Sequence, residues 1–257
     1  IAAGLVGFEP QISYANLVEK LCGKVLKKSQ TRANWEKRPL SKEMINYARE
    51  DVEFLLEMHT ILLEKLKKMN RISWAEEDSK SLNNYNLYKF DPNEAINRIK
   101  SAKYLSGRTK KAVHLLLKWR EKKAIEKNLP RQWILRDKTL VKIATTSIGL
   151  NSDFSNIKEI SERFIKKNRN EVIEILEKSR ISAEDYPPEN KMNEKQKKIM
   201  TEMQKFIVKI SKSLNIAPEI IATKKEIKLY LMEKNKSKLI KGWRKNLTEE
   251  KFLELTG

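Results

Sequence analysis

Apolar residues recur along most of this chain at helical spacing. Between residues 42 and 68, Met44, Ile45, Ala48, Val52, Leu55, Leu56, Met58, Leu62, Leu63 and Leu66 fall three, four and seven apart, which gathers side chains on one helix face. Ser41 stands before them as an N-cap, so the pattern predicts one helix running to about residue 68. An amphipathic segment over 12–21 meets Gly23, placed to end a helix. Residues 109–127 carry Ala112, Val113, Leu115, Leu116, Trp119 and Ile125 before the break at Asn128-Leu129-Pro130. Asp137 is expected to cap a helix with Leu140, Val141, Ile143 and Ala144 inward. A shorter helix is expected near Ile157, and another around Val172, Ile173 and Leu176. Later stripes are Ile199, Met203, Phe206, Ile207 and Ile210, then Ile220, Ile221 and Ala222, then Ile227, Leu229, Tyr230 and Leu231 behind Thr223.

The polar interruptions divide these stripes. Pro187-Pro188-Glu189-Asn190 is the clearest punctuation. The run Glu76-Glu77-Asp78-Ser79-Lys80-Ser81 and the cluster Asn83-Asn84-Tyr85-Asn86 read as a linker, after which Asp91-Pro92 opens a helix. The predicted division is 1–70, a linker with one helix over 71–106, a helical domain over 107–186, and a second helical unit over 187–257. Trp119 and Trp133 both read as core, since each adjoins an apolar stripe.

Composition agrees with a mainly α chain. Only seven Gly and seven Pro occur in 257 residues, and charged residues make up 34%. The net charge is +20, with most of the Lys and Arg excess beyond residue 90. Such a potential attracts polyanions. Lys28, Arg32 and Arg38 lie close in sequence to the helix that follows Ser41, and either phosphate contact or a solvated loop accounts for them. Lys111, Lys118 and Lys122 recur on one side of a predicted helix and suit a phosphate backbone. The lone Cys22 forbids an internal disulfide and fits a reducing, cytoplasmic setting. His59 and His114 lack ligand spacing, and the longest apolar run is too short to span a membrane.

One spacing carries chemistry. Tyr47 and Asp51 are four apart and share a helix face. A carboxylate is a hard ligand for Mg²⁺ or Mn²⁺, and a phenol beside it can orient a water. By itself the pair arises often by chance and reads more readily as a solvated helix charge and a half-buried ring. Its context is Trp35-Glu36-Lys37-Arg38-Pro39-Leu40-Ser41, then Tyr47-Ala48-Arg49-Glu50-Asp51-Val52. This resembles the last exonuclease motif of the ribonuclease D family, and Leu17-Val18-Glu19 and Leu26-Lys27-Lys28-Ser29 extend the match. Leu116 to Ala124, Leu129-Pro130 and Ile134-Leu135-Arg136-Asp137 resemble the HRDC module of the same family. Leu239-Ile240-Lys241-Gly242-Trp243-Arg244 resembles the end of its second HRDC-like unit.

The resemblance implies the C-terminal helical part of a ribonuclease H-like α/β exonuclease domain, followed by two small all-α HRDC-like domains. It implies a divalent metal with Asp51 as a ligand, Tyr47 as the water-positioning hydroxyl, and 3′–5′ trimming of RNA, typically tRNA precursors. The family has three further carboxylates earlier in the chain. Glu9 and Glu19, the acids before Glu36, lack their spacing. The expectation is therefore an N-terminally incomplete chain, inactive by itself, with the apolar face of its Tyr47 helix uncovered. The alternatives are a non-catalytic nucleic-acid-binding protein and a decayed or split fragment.

Overall fold

The computed structural model describes the chain apart from residues 27–29, 31–32, 103, 147–156, 158, 181–185 and 188–190. Among the described residues the regular structure is helical throughout. The chain divides into two units, residues 85–191 and, around them in sequence, residues 1–84 with 192–257. Segments 1–70 and 187–257, which the sequence presents as separate domains, thus fall almost entirely in one unit. The helix expected near Ile157 lies largely outside the described residues.

The first unit opens with α1 (Ala2–Leu5) and α2 (Tyr14–Cys22). Ser13 accepts the Asn16 N–H at the start of α2, and Gly23, at φ 67°, ends it in a left-handed conformation. Ser41 caps α3 (Lys42–Glu53) by accepting the Met44 N–H at 3.3 Å. The single helix predicted as far as residue 68 is two helices. α3 stops at Glu53, Phe54 sits at φ −97°, ψ 1°, and α4 (Leu55–Lys68) follows. Periodicity gives no sign of this break, where a residue distant in sequence meets the helix. The Tyr14 hydroxyl, on α2, donates to the Glu50 carbonyl, which a continuous helix would reserve for Phe54.

The expected linker contains a second helix, α5 (Ile72–Leu82). Arg71 before it is buried and donates to the Leu5 and Leu214 carbonyls, each at 2.6 Å. The remainder of the unit is α11 (Glu194–Leu214), α12 (Pro218–Ile221), α13 (Lys224–Met232) and α14 (Gly242–Thr256). Asn193 and Gln196 form a reciprocal capping box on α11, and Thr223 caps α13. The core joins Leu5, Val6 and Leu66 to Met203, Ile207, Ile221, Ile227, Trp243 and Phe252.

The polar run in α5 reads as linker because its acids serve α14 and not solvent. Asp78 takes a two-pronged contact from Arg244, at 2.5 and 2.8 Å. Glu77 accepts the Trp243 N–H at 3.0 Å in the first turn of α14, which has no side-chain cap of its own. A Cβ on Gly242 would sit about 2 Å from that carboxylate, so the approach requires glycine. Trp74 stacks on Trp243 with ring centroids 4.4 Å apart.

The second unit holds α6 (Pro92–Arg98), α7 (Gly107–Lys127), α8 (Arg131–Ile134), α9 (Asp137–Thr145) and α10 (Glu162–Lys178). Asp91 caps α6 with Pro92 at its first position. α7 is the axis of this unit, burying Ala112, Val113, Leu116, Leu117 and Trp119 against α6, α9 and α10. Arg120 is buried too, donating to the Leu135 carbonyl and to Asp137. Asp137 thus opens α9 as its first residue while Arg136 occupies the cap position.

Candidate active site and nucleic-acid interface

α3 carries the two residues on which the chemistry rests. Ser41 fixes its first turn, so Tyr47 and Asp51 follow one helical turn apart on a common face. The Trp35 ring lies 5.9 Å from the Tyr47 ring and tilted by 48°. This contact holds the loop before α3 beside the phenol. Arg38 braces that loop, donating to the carbonyls of Trp35 at 2.7 Å and Lys37 at 3.0 Å. The Arg38–Pro39 peptide is cis. Tyr47 is half-buried, whereas Arg38 and Asp51 are exposed. Lys28 and Arg32 lie outside the described residues.

Asp51 stands on an open face beside apolar neighbours. Ile45, Val52, Leu55 and Leu56 are all exposed, Leu56 by 82%. Among the described residues, no three or more His, Cys, Asp or Glu side chains converge in a group able to hold a metal. One exposed carboxylate does not make a two-metal centre. The residues present therefore do not fit the complete metal site that the sequence resemblance implies.

Two basic features belong to the second unit. Lys111, Lys118 and Lys122 recur along one flank of α7 at seven- and four-residue spacing. Lys118 and Lys122 are exposed, Lys111 is partly buried over the Tyr186 ring, and Lys122 lies 3.8 Å from Glu126. Lys123 is drawn inward by Glu171, which also accepts the Trp119 indole N–H. The Lys123 ammonium, and after it Trp119, holds the Glu171 carboxyl below its usual range. Burial, with Lys118 adding to it, holds the His114 imidazole low and favours its neutral form.

The other feature is a cavity of about 770 Å³ bounded by α8, the start of α9 and the start of α10. Lys127, Arg136, Arg163 and Lys167 line it together with Trp133. Trp133 was expected in the core but is 75% exposed. α8 is a single turn, and its inward positions go to Ile134 and then Leu135, leaving the indole outside. The one carboxylate among the lining residues, Glu159, is engaged by Lys142 at 3.0 Å. Cations surrounding an open aromatic face suit a single-stranded polyanion with stackable bases. The cue missed in the sequence was Trp133 three residues after the helix-breaking Pro130, with Arg131 before it and Arg136 after it.

No helix among the described residues is long and apolar enough to cross a membrane. Residues 1–67 match the family model described as 3′–5′ exonuclease, and residues 110–176 match that of the HRDC domain. Ribonuclease D of Shewanella sp. (strain ANA-3) is 25% identical over 99% of this chain and 68% of its own length. Ribonuclease D of Sphingobium indicum is 29% identical over 95% of this chain and 64% of its own length. The chain thus spans about two thirds of these curated relatives. The crystal structure of Escherichia coli RNase D, an exoribonuclease involved in structured RNA processing, superposes with a TM-score of 0.83 at 24% identity. The superposition covers 99% of this chain and 70% of that one. The chain has the fold of the corresponding, wholly helical region of that protein.

Proposed function

We propose that this chain, similar to ribonuclease D along nearly its whole length, acts as the helical part of a ribonuclease D-type 3′–5′ exoribonuclease. The observation that carries the reading is the exonuclease match over residues 1–67, which contains Tyr47 and Asp51 on one face of α3 beside the Trp35–Arg38 loop. The reaction is hydrolysis of the terminal phosphodiester of an RNA 3′ end, releasing 5′-mononucleotides. Tyr47 holds a water by its hydroxyl, and Asp51 supplies one carboxylate of the site. The cofactor would be Mg²⁺ or Mn²⁺, the substrates tRNA precursors, and the setting the cytoplasm. Because Asp51 is a single ligand, the chain by itself does not turn over. The carboxylates it lacks come from the remaining exonuclease portion.

The test uses a 3′-tailed RNA and Mn²⁺. The purified chain should release no mononucleotides. A full-length ribonuclease D in which this chain replaces the region it matches should release them. In that enzyme Asp51→Asn should cost more than the roughly 10–100-fold typical of losing an outer partner of a metal ligand. Release by the isolated chain would overturn the inactivity, and an Asp51→Asn enzyme of undiminished rate would overturn the site.

A second reading, a nucleic-acid-binding module without catalysis, is favoured by the cavity around Trp133. Both readings have RNA lying there and along the Lys118 and Lys122 flank of α7. Trp133→Ala should then remove roughly 1–3 kcal/mol of stacking, and affinity should fall steeply with salt. Equal affinity for parent and variant would rule this cavity out as the binding site.

A further inference from the structure

The break between α3 and α4 falls three residues after Asp51, and one side chain from another helix occupies it. The Tyr14 hydroxyl donates to the Glu50 carbonyl at 2.8 Å, across thirty-six residues of sequence. That carbonyl belongs to the peptide group whose nitrogen is that of Asp51. In an uninterrupted helix it would accept the Phe54 N–H. Here the Phe54 N–H turns instead to the Val52 carbonyl and to the Tyr14 oxygen. A side chain inserted into the hydrogen-bond ladder in this way is a recognised cause of a sharp break.

We propose that Tyr14 is a positioning residue for Asp51: by taking the Glu50 carbonyl, its hydroxyl ends α3 just beyond Asp51 and fixes the peptide from which that carboxylate extends. Four observations support this. Tyr14 is on α2, whose ends are both fixed, by Ser13 and by Gly23. The phenol therefore reaches α3 from a defined support. Partial burial raises its pKa, the Phe54 N–H opposes the rise, and the nearby Asp51 charge adds to it. Tyr47, at the other end of the pair, is held by Trp35. Finally, among the described residues the Asp51 side chain makes no ion pair or hydrogen bond, so the support available to it comes through the backbone. The tyrosine acts through Asp51 and touches no reacting atom.

The inference rests on Asp51 being a site carboxylate, and the experiment separates the two. In the full-length enzyme carrying this chain, Tyr14→Phe keeps the ring and deletes only the hydroxyl. Its kcat should fall about three- to tenfold, below the roughly 100-fold that an ångström of misplacement can cost. KM for RNA should not change, and the Mn²⁺ concentration for half-maximal rate should rise. Asp51→Asn is measured alongside. If Asp51→Asn is inactive while Tyr14→Phe keeps kcat and Mn²⁺ dependence within twofold of the parent, the positioning role is wrong and the site stands. If Asp51→Asn is as active as the parent, both are wrong. A second measurement uses the chain as it is. The Phe54 Cα chemical shift should move toward the helical value in Tyr14→Phe, with the far-ultraviolet helical signal retained. An unmoved Phe54 shift would overturn the assignment of the break to Tyr14.

Discussion

α7 and the α3–α4 pair have similar lengths and similar shares of apolar residues, yet they meet opposite surroundings. α7 buries side chains nearly all round, including Trp119 and the charged Arg120. It leaves mainly Lys118, Lys122, Ile125 and Glu126 to solvent. Along α3 and the first turn of α4, Ile45, Val52, Leu55 and Leu56 face outward, and Met44 and Met58 are the apolar side chains fully enclosed. The second half of α4 returns to the interior through Leu66. An apolar stripe is thus no guarantee of a core. It states a requirement for a covering surface, which α6, α9 and α10 supply to α7.

The sharpest way to break this comparison is to truncate one leucine in each region. Leu116→Ala, in the core around α7, should cost about 2–5 kcal/mol through lost burial and a residual cavity. The check is urea unfolding followed by the helical signal. Arg71→Met should cost about 3 kcal/mol, since it leaves the Leu5 and Leu214 carbonyls without their charged donor. Amide exchange in α1 and at the end of α11 reports that loss. Leu56→Ala should change stability by no more than about 0.5 kcal/mol and should improve solubility at high concentration. A loss at Leu56 approaching that at Leu116 would mean that the exposed face is covered in solution.

The helices were legible wherever a stripe met a local cap. Ser41, Asp91, Thr223 and the left-handed Gly23 are all used as their sequence positions suggest. What sequence could not reveal depended on distant partners. Nothing near Phe54 announces that Tyr14 will interrupt the helix. Nothing in Glu76 to Ser81 announces that Asp78 will receive Arg244 from the other end of the chain. Trp133 was misplaced because a one-turn helix is too short for periodicity to assign a face. The pair Tyr47 and Asp51 was legible through spacing and the surrounding motif. The exposure of Asp51 was not, because exposure depends on what covers α3.

The carboxylates of α5 give the first-described unit an order of assembly. Glu77 and Asp78 wait for Trp243 and Arg244, which are synthesised about 166 residues later. During translation the segment 85–191 can condense as soon as it emerges, whereas α5 remains without its partner until α14 leaves the ribosome. Closing so long a loop is slow relative to local pairing, and chains folding as they emerge complete their early units first. A nascent chain stalled near residue 190 would therefore carry a finished 85–191 unit beside an α5 whose carboxylates still lack Trp243 and Arg244.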